Sequence, residues 1–244
     1  MIQVYWKLFG ALIAVLVSFD LMALDDERNF KKGETLFVHS FKGLNLRSRP
    51  LITAKVLVRM PYGGKVVVTQ LLPRDRLLTV DNITGYWIGV RFGKHTGYTF
   101  SGFVSRLPVP GKEWKVGLNE FRSKLSAARI PYSIEQDKKT GKNRKTAIVL
   151  SNTSVLDGML VLRKLASIPN HLKLPRISSK ERMETSDRKS LDEFFGRTLS
   201  VIRKDGKVCR LSYQYIYQGG TQRASIQPVG KNSVRLYIEN NIDD

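Results

Sequence analysis

The chain predicts a small antiparallel β-barrel over residues 33–109 and an α+β unit over residues 112–244. Up to Leu107, short β-branched and aromatic runs are cut by Gly and Pro at close intervals. The segment Arg106-Leu107-Pro108-Val109-Pro110-Gly111 then denies two backbone donors and breaks regular structure. Beyond it, apolar residues recur at helical spacing before four alternating runs separated by glycine turns, the pattern of helices packed on a meander.

Residues 1–23 stand outside both units. Lys7 precedes an apolar run from Leu8 to Phe19, and Asp20-Leu21-Met22-Ala23 follows. About 12 apolar residues suit the central region of a signal peptide and fall short of the roughly 18 that read as a membrane span. Export to the periplasm or the cell exterior is therefore expected, with cleavage after Ala23. Asp20 and Leu21 depart from a small-x-small cleavage pattern, so an uncleaved anchor is the alternative. No Cys follows the run to accept a lipid.

In the first unit, Leu36–His39 reads as a strand, and Leu44-Asn45-Leu46-Arg47-Ser48-Arg49 alternates until Pro50 ends the pairing. Lys55–Met60 resumes it, Pro61-Tyr62-Gly63-Gly64 supplies a turn, and Lys65–Gln70, Tyr86–Phe92 and Gly97–Phe100 complete the set. Gly63 and Gly64 permit a tight turn, while Gly93 and Gly97 flank a hairpin tip at Lys94-His95-Thr96. Closure into a barrel would remove the exposed strand edges.

The series GLNLRSRP, KVLVRMPYGGKVVV and GYWIGVRFGKHTGYTFSGFVSRL resembles a bacterial SH3-like domain over about residues 34–107. Five short elements match in the family's order; Thr99 stands where Val is usual, and Leu71 to Thr84 forms a longer insertion than many members carry. The resemblance implies binding of cell-wall peptide or protein without catalysis. Tyr62, Tyr86, Trp87, Tyr98 and Phe100 are its candidate groove residues, and each is also explained by a place in the core.

The second unit resembles no family. Leu118, Phe121 and Leu125 mark a helix before Pro131, Thr146–Leu150 a buried strand, and Ser154–Ser167 a helix ending before Pro169. The segment Lys138–Lys145 reads as a basic loop, and Ser190 with Glu193 forms a capping-box pattern opening a short helix over 191–196. Turns at Asp205-Gly206, Gly219-Gly220 and Gly230-Lys231-Asn232 then divide four strands: Leu199–Arg203, Val208–Tyr217, Arg223–Gln227 and Val234–Ile238. Alternation puts Cys209 on one face with Leu211, Tyr213, Tyr215 and Tyr217, a face expected to pack against the helices, so Cys209 should be a small buried residue. As the only cysteine, it forms no internal disulfide.

Net charge is +20, and both units share it: 11 Lys/Arg against 3 Asp/Glu over residues 33–111, and 26 against 14 over 112–244. The expected partner is an anionic envelope component or a protein or peptide ligand; export directs the chain away from nucleic acid, and membrane contact is expected only through an uncleaved N-terminal segment. His39, His95 and His171 lack metal-ligand spacing, and no Gly-rich phosphate loop or nucleophile motif occurs, so neither metal nor cofactor nor catalytic residue is expected. The sequence thus reads as an exported, non-catalytic envelope-binding protein. The competing reading is a cell-wall-modifying enzyme with an unfamiliar active site in residues 112–244.

Overall fold

Period-two alternation dominates the chain, and the computed structural model is accordingly mostly antiparallel strand. It describes residues 24–25, 28–74, 77–111, 114–140, 143–174, 182–187, 195–205 and 207–242. The predicted signal segment lies outside them, as does most of the helix expected over 191–196; Gly196, its last residue, opens a strand instead.

The first half contributes β1 (Leu24–Asp25), β2 (Thr35–Val38), β3 (Leu44–Arg47), β4 (Val56–Met60), β5 (Lys65–Leu71), β6 (Leu78–Val80), β7 (Ile83–Gly85), β8 (Trp87–Phe92), β9 (His95–Phe100) and β10 (Val104–Ser105). Seven of these form one sheet in the order β10-β2-β5-β8-β9-β3-β4. Among the described residues no sheet closes on itself, so β4 and β10 remain its outer strands. Leu36, Val38, Leu46, Val66, Val68, Ile88 and Val90 supply a buried apolar cluster on it.

The insertion between Leu71 and Thr84 is not a plain loop. It folds β6 and β7 into a hairpin whose two-residue tip, Asp81-Asn82, has φ of 51° and 61°, and β1 pairs in parallel with β7. Both positive angles suit the turn that matches strand twist, and Asp and Asn tolerate them better than most residues.

The second half contributes α1 (Trp114–Ala127), β11 (Tyr132–Thr140), β12 (Asn143–Ser151), α2 (Val155–Leu165), β13 (Arg182–Ser186), β14 (Gly196–Lys204), β15 (Lys207–Tyr217), β16 (Gly220–Pro228) and β17 (Ser233–Ile242). The predicted four-strand meander is present as β14–β17, and it is the middle of a seven-stranded antiparallel sheet in the order β11-β12-β17-β16-β15-β14-β13. Of the basic segment predicted as a loop, Lys138–Thr140 belong to β11 and Asn143–Lys145 to β12, and Lys138 pairs with Lys145 and Lys139 with Arg144. One face of this sheet is covered by α2, which lies against β16 and β17, and α1 lies against α2. Gly158 permits the approach: a Cβ there would meet the Val234 side chain at 3.2 Å.

The two halves share a core. Ile83, Phe100 and Leu107 from the first belong to the same buried cluster as Phe121, Leu160, Tyr213 and Ile226 from the second. The proline-rich segment between them is packed rather than loose. Pro108 and Pro110 are buried, Lys124 Nζ donates to the Val109 carbonyl at 3.0 Å, and Tyr62 Oη donates to the Pro110 carbonyl at 3.1 Å.

Cys209 is exposed, against expectation. Ile202 faces Arg210 and Arg203 faces Val208, so a bulge leaves Cys209 as the unpaired extra residue and turns it off the core face. Beyond the bulge the expected alternation holds at Leu211 and Tyr213, both buried.

Candidate functional site

A cavity of about 360 Å³ lies between the first sheet and the end of α2. The loop after β2 gives it His39, Phe41 and Lys42, and the strands of the sheet give Arg47, Arg59, Trp87 and Phe100. Leu78, Val80 and Asp81 come from the β6–β7 hairpin, while Leu160, Arg163, Asn170 and Lys173 come from α2 and the segment after it. Its body is apolar and aromatic, and its charged lining is five cations against one carboxylate.

The hairpin tip fixes one wall. Asn82 Nδ2 donates to the Leu174 carbonyl at 2.6 Å, and the Asp81 carboxylate pairs with Lys173 at 2.8 Å. Lys173 is thereby committed, as is Arg47, whose Nη1 donates to the Ala54 carbonyl at 2.8 Å. Among the described residues Lys42, Arg59 and Arg163 have no ion-pair partner.

Arg163 differs from the other two in being only 8% exposed. One Nη2 contact reaches the Pro169 carbonyl at 3.4 Å, while its buried Nε has no hydrogen-bond partner. Burial pulls the pKa of this guanidinium below the ordinary arginine value, and the Asp81 carboxylate works against that pull. A guanidinium on a cavity wall suits a carboxylate or phosphate, which can take two parallel N–H bonds.

A buried polar network lies behind the cavity. Asp157 in the first turn of α2 accepts from Arg28 Nη1 at 2.9 Å and from Ser105 Oγ at 2.5 Å, and the two charged side chains are 2% and 3% exposed. Ser154 caps the helix: its Oγ accepts from the Asp157 amide at 3.1 Å and donates to the Asp157 carboxylate at 2.9 Å. Arg28 also donates to the carbonyls of Val104 and Ser101. Burial alone would raise the Asp157 pKa; the Arg28 charge and the Ser105, Arg28 and Ser154 hydrogen bonds outweigh it and hold the carboxyl below its usual range. His39, on the cavity wall, is 3% exposed; its Nε2 donates to the Leu107 carbonyl at 2.9 Å. Burial lowers its pKa to about 4, against the opposing pull of the Leu107 carbonyl and Asp157.

The five expected groove residues separate. Trp87 and Phe100 line the cavity, paired across β8 and β9. Tyr62 stacks beside Phe41, a lining residue, at 5.0 Å and ties the sheet to Pro110. Tyr86 is buried, its Oη donating to the Arg28 carbonyl at 2.6 Å and Arg74 lying 4.3 Å over its ring. Tyr98 donates to Gln70 Oε1 at 3.2 Å at the surface.

No family model, curated protein or solved structure matches this chain.

The remaining reactive side chains do not converge on the cavity. His171 Nε2 lies 3.1 Å from Asp187 Oδ2 with its ring exposed, and Cys209 sits on a bulge of the sheet. Tyr213 enters the core, and burial pushes its pKa up to about 12, whereas Tyr215 and Tyr217 stack at 5.1 Å with Arg197 lying 4.3 Å over Tyr215. The lining residues that sequence reasoning missed, Arg163, Lys173, Asp81 and Lys42, come from four separate segments. The Asp81-Asn82 turn signal was their one local trace.

Proposed function

We infer that this chain is an exported, non-catalytic binding protein of the bacterial cell envelope, and that its first sheet is the SH3-like unit its motifs resemble. Its ligand is an anionic envelope component, held in the cavity between that sheet and α2. The observation that carries the reading is the cavity lining, where five cations stand against one carboxylate around an apolar and aromatic body and Arg163 is almost wholly buried. Trp87 and Phe100 supply the apolar surface against which the body of such a ligand would lie.

The test uses insoluble cell-wall sacculi as the probe and varies salt. Attraction by net charge alone fades as the Debye length falls to about 3 Å at 1 M, whereas an enclosed Arg–anion contact persists. Arg163→Met fits the buried volume without the charge, and is expected to lower the salt-resistant binding by on the order of tenfold. Equal binding by Arg163→Met and the parent protein would remove the cavity from the account. Release of soluble muropeptides over time would end the non-catalytic reading.

A further inference from the structure

We propose that the β3–β4 tip is a docking surface for an anionic lipid bilayer, a second contact beside the cavity, whose lining it shares at Ile52 and Arg59. Leu51, Ile52, Val56 and Leu57 are four of the eight exposed large apolar side chains among the described residues, and they fall within seven positions. Ile52 is the most open of all, at 66%. Exposed apolar side chains scattered singly are ordinary; four at one tip mark an interaction surface.

The tip is folded, not collapsed or slack. The Ser48 amide donates to the Lys55 carbonyl at 2.9 Å, the Ala54 amide to the Leu51 carbonyl at 3.1 Å, and Arg47 grips the Ala54 carbonyl from beneath. Ala54 is buried, so the turn stands on its own small base, with Leu51 exposed and Ile52 both exposed and at the edge of the cavity. A bulge explains the other two. Leu46 pairs with Val58 and Arg47 with Val56, which leaves Leu57 as an extra residue and exposes two consecutive aliphatic side chains on an outer strand. Because these groups are already held out, docking orders little chain.

Charge selects the partner. From Thr35 to Arg74 the sequence contains no Asp or Glu, and around the aliphatic tip it carries Arg49, Lys55 and Arg59, all exposed and none ion-paired among the described residues. A second copy of the chain would bring the same cations face to face, which repels. A peptide adding a strand along β4 would use that strand's backbone edge and leave Leu51 and Ile52, which lie beyond it, uncovered. Aliphatic side chains that enter the acyl boundary while Lys and Arg reach headgroup phosphates use both the apolar and the cationic groups exposed at the tip.

The test takes the protein without residues 1–23, so that the apolar leader plays no part, and sediments it with vesicles of phosphatidylcholine alone or mixed equally with phosphatidylglycerol. Binding is expected only to the mixed vesicles. Each cation near such a surface is worth about fivefold, so Arg49→Gln with Lys55→Gln lowers the affinity roughly 25-fold. Leu51→Gln with Ile52→Gln, which leaves net charge unchanged, lowers it at least about tenfold. A polarity-sensitive fluorophore on Ile52→Cys, in a Cys209→Ser background, shifts to the blue on the mixed vesicles. The same fluorophore on native Cys209 does not. Three outcomes overturn the proposal: unchanged affinity in the Leu51/Ile52 variant, equal shifts at both labelled positions, or a lipid-free dimer that this variant abolishes.

Discussion

Stability should fall steeply between pH 6.5 and 4 because of one side chain, His39. In the unfolded chain its imidazole takes a proton near pH 6.5; in the fold, burial holds the pKa near 4. Above 6.5 both states hold the ring neutral and His39 contributes no slope. Between the two values the unfolded state binds the extra proton, so stability rises with pH and is lost on acidification. The gap of about 2.5 between 6.5 and 4, at about 1.36 kcal/mol per unit, amounts to about 3 kcal/mol, a large part of the 5–15 kcal/mol typical of a domain. Urea unfolding of the parent and of His39→Gln, at several pH values from about 7 to 4.5, isolates the effect. Glutamine retains a donor for the Leu107 carbonyl and does not titrate, so its stability should be nearly flat across the window once the other groups' common trend is subtracted. Parallel curves for the two proteins, or an imidazole resonance of His39 that titrates near 6.5, would refute the enclosed, neutral ring.

Further predictions follow from the packing of the two halves. Asp157→Ala leaves Arg28 buried without its counter-ion and should cost about 3–5 kcal/mol in urea unfolding, whereas Ser154→Ala removes chiefly the cap and should cost about 1 kcal/mol. The Asp157 pKa is depressed, so its contribution is full above about pH 4 and disappears as the pH falls further through the folded value; acid unfolding of the parent should therefore continue below the His39 window, and that of Asp157→Ala should be less steep there, with Glu135, Asp187 and Glu239 still contributing. Gly97→Ala drives a Cβ into the Arg47 carbonyl, and calorimetry should show a lowered unfolding temperature from a loss of at least about 1–3 kcal/mol. Residues 33–109 produced alone expose Ile83, Phe100 and Leu107, worth about 5–9 kcal/mol together, so they should lack a cooperative thermal transition. A sharp transition in that fragment would show that residues 33–109 fold as a unit of their own.

Local pattern made the strands readable and tertiary contact hid the site. Alternation located β2–β5, β8 and β9 to within a few residues, because each strand buries one face and turns at glycine or proline. The β6–β7 hairpin passed as an insertion because its strands are three residues long and its turn lacks glycine. Cys209 was assigned to the wrong face because a single bulged residue resets the period. The helix expected from Ser154 is present, and Ser154 and Asp157 cap it, but the Arg28 partner of Asp157 lies 129 positions away, and no local signal links them. Arg163 reads as one more basic residue at a helix end until the fold shuts its guanidinium behind the first sheet.

The Arg28–Asp157 pair also dictates when the molecule can be finished. As the chain is made, Arg28 emerges early and its guanidinium must wait for α2 before it can leave water, while Ser105 and the carbonyls of Ser101 and Val104 wait with it. Until then the apolar faces of Ile83, Phe100 and Leu107 have nothing to cover them. Closing so long a loop is slow, and the uncovered stage is the one at which chains stick to one another. The first sheet is therefore a surface in need of an escort until about residue 165 has been delivered, and the surplus of positive charge that it carries meanwhile keeps unfinished copies apart.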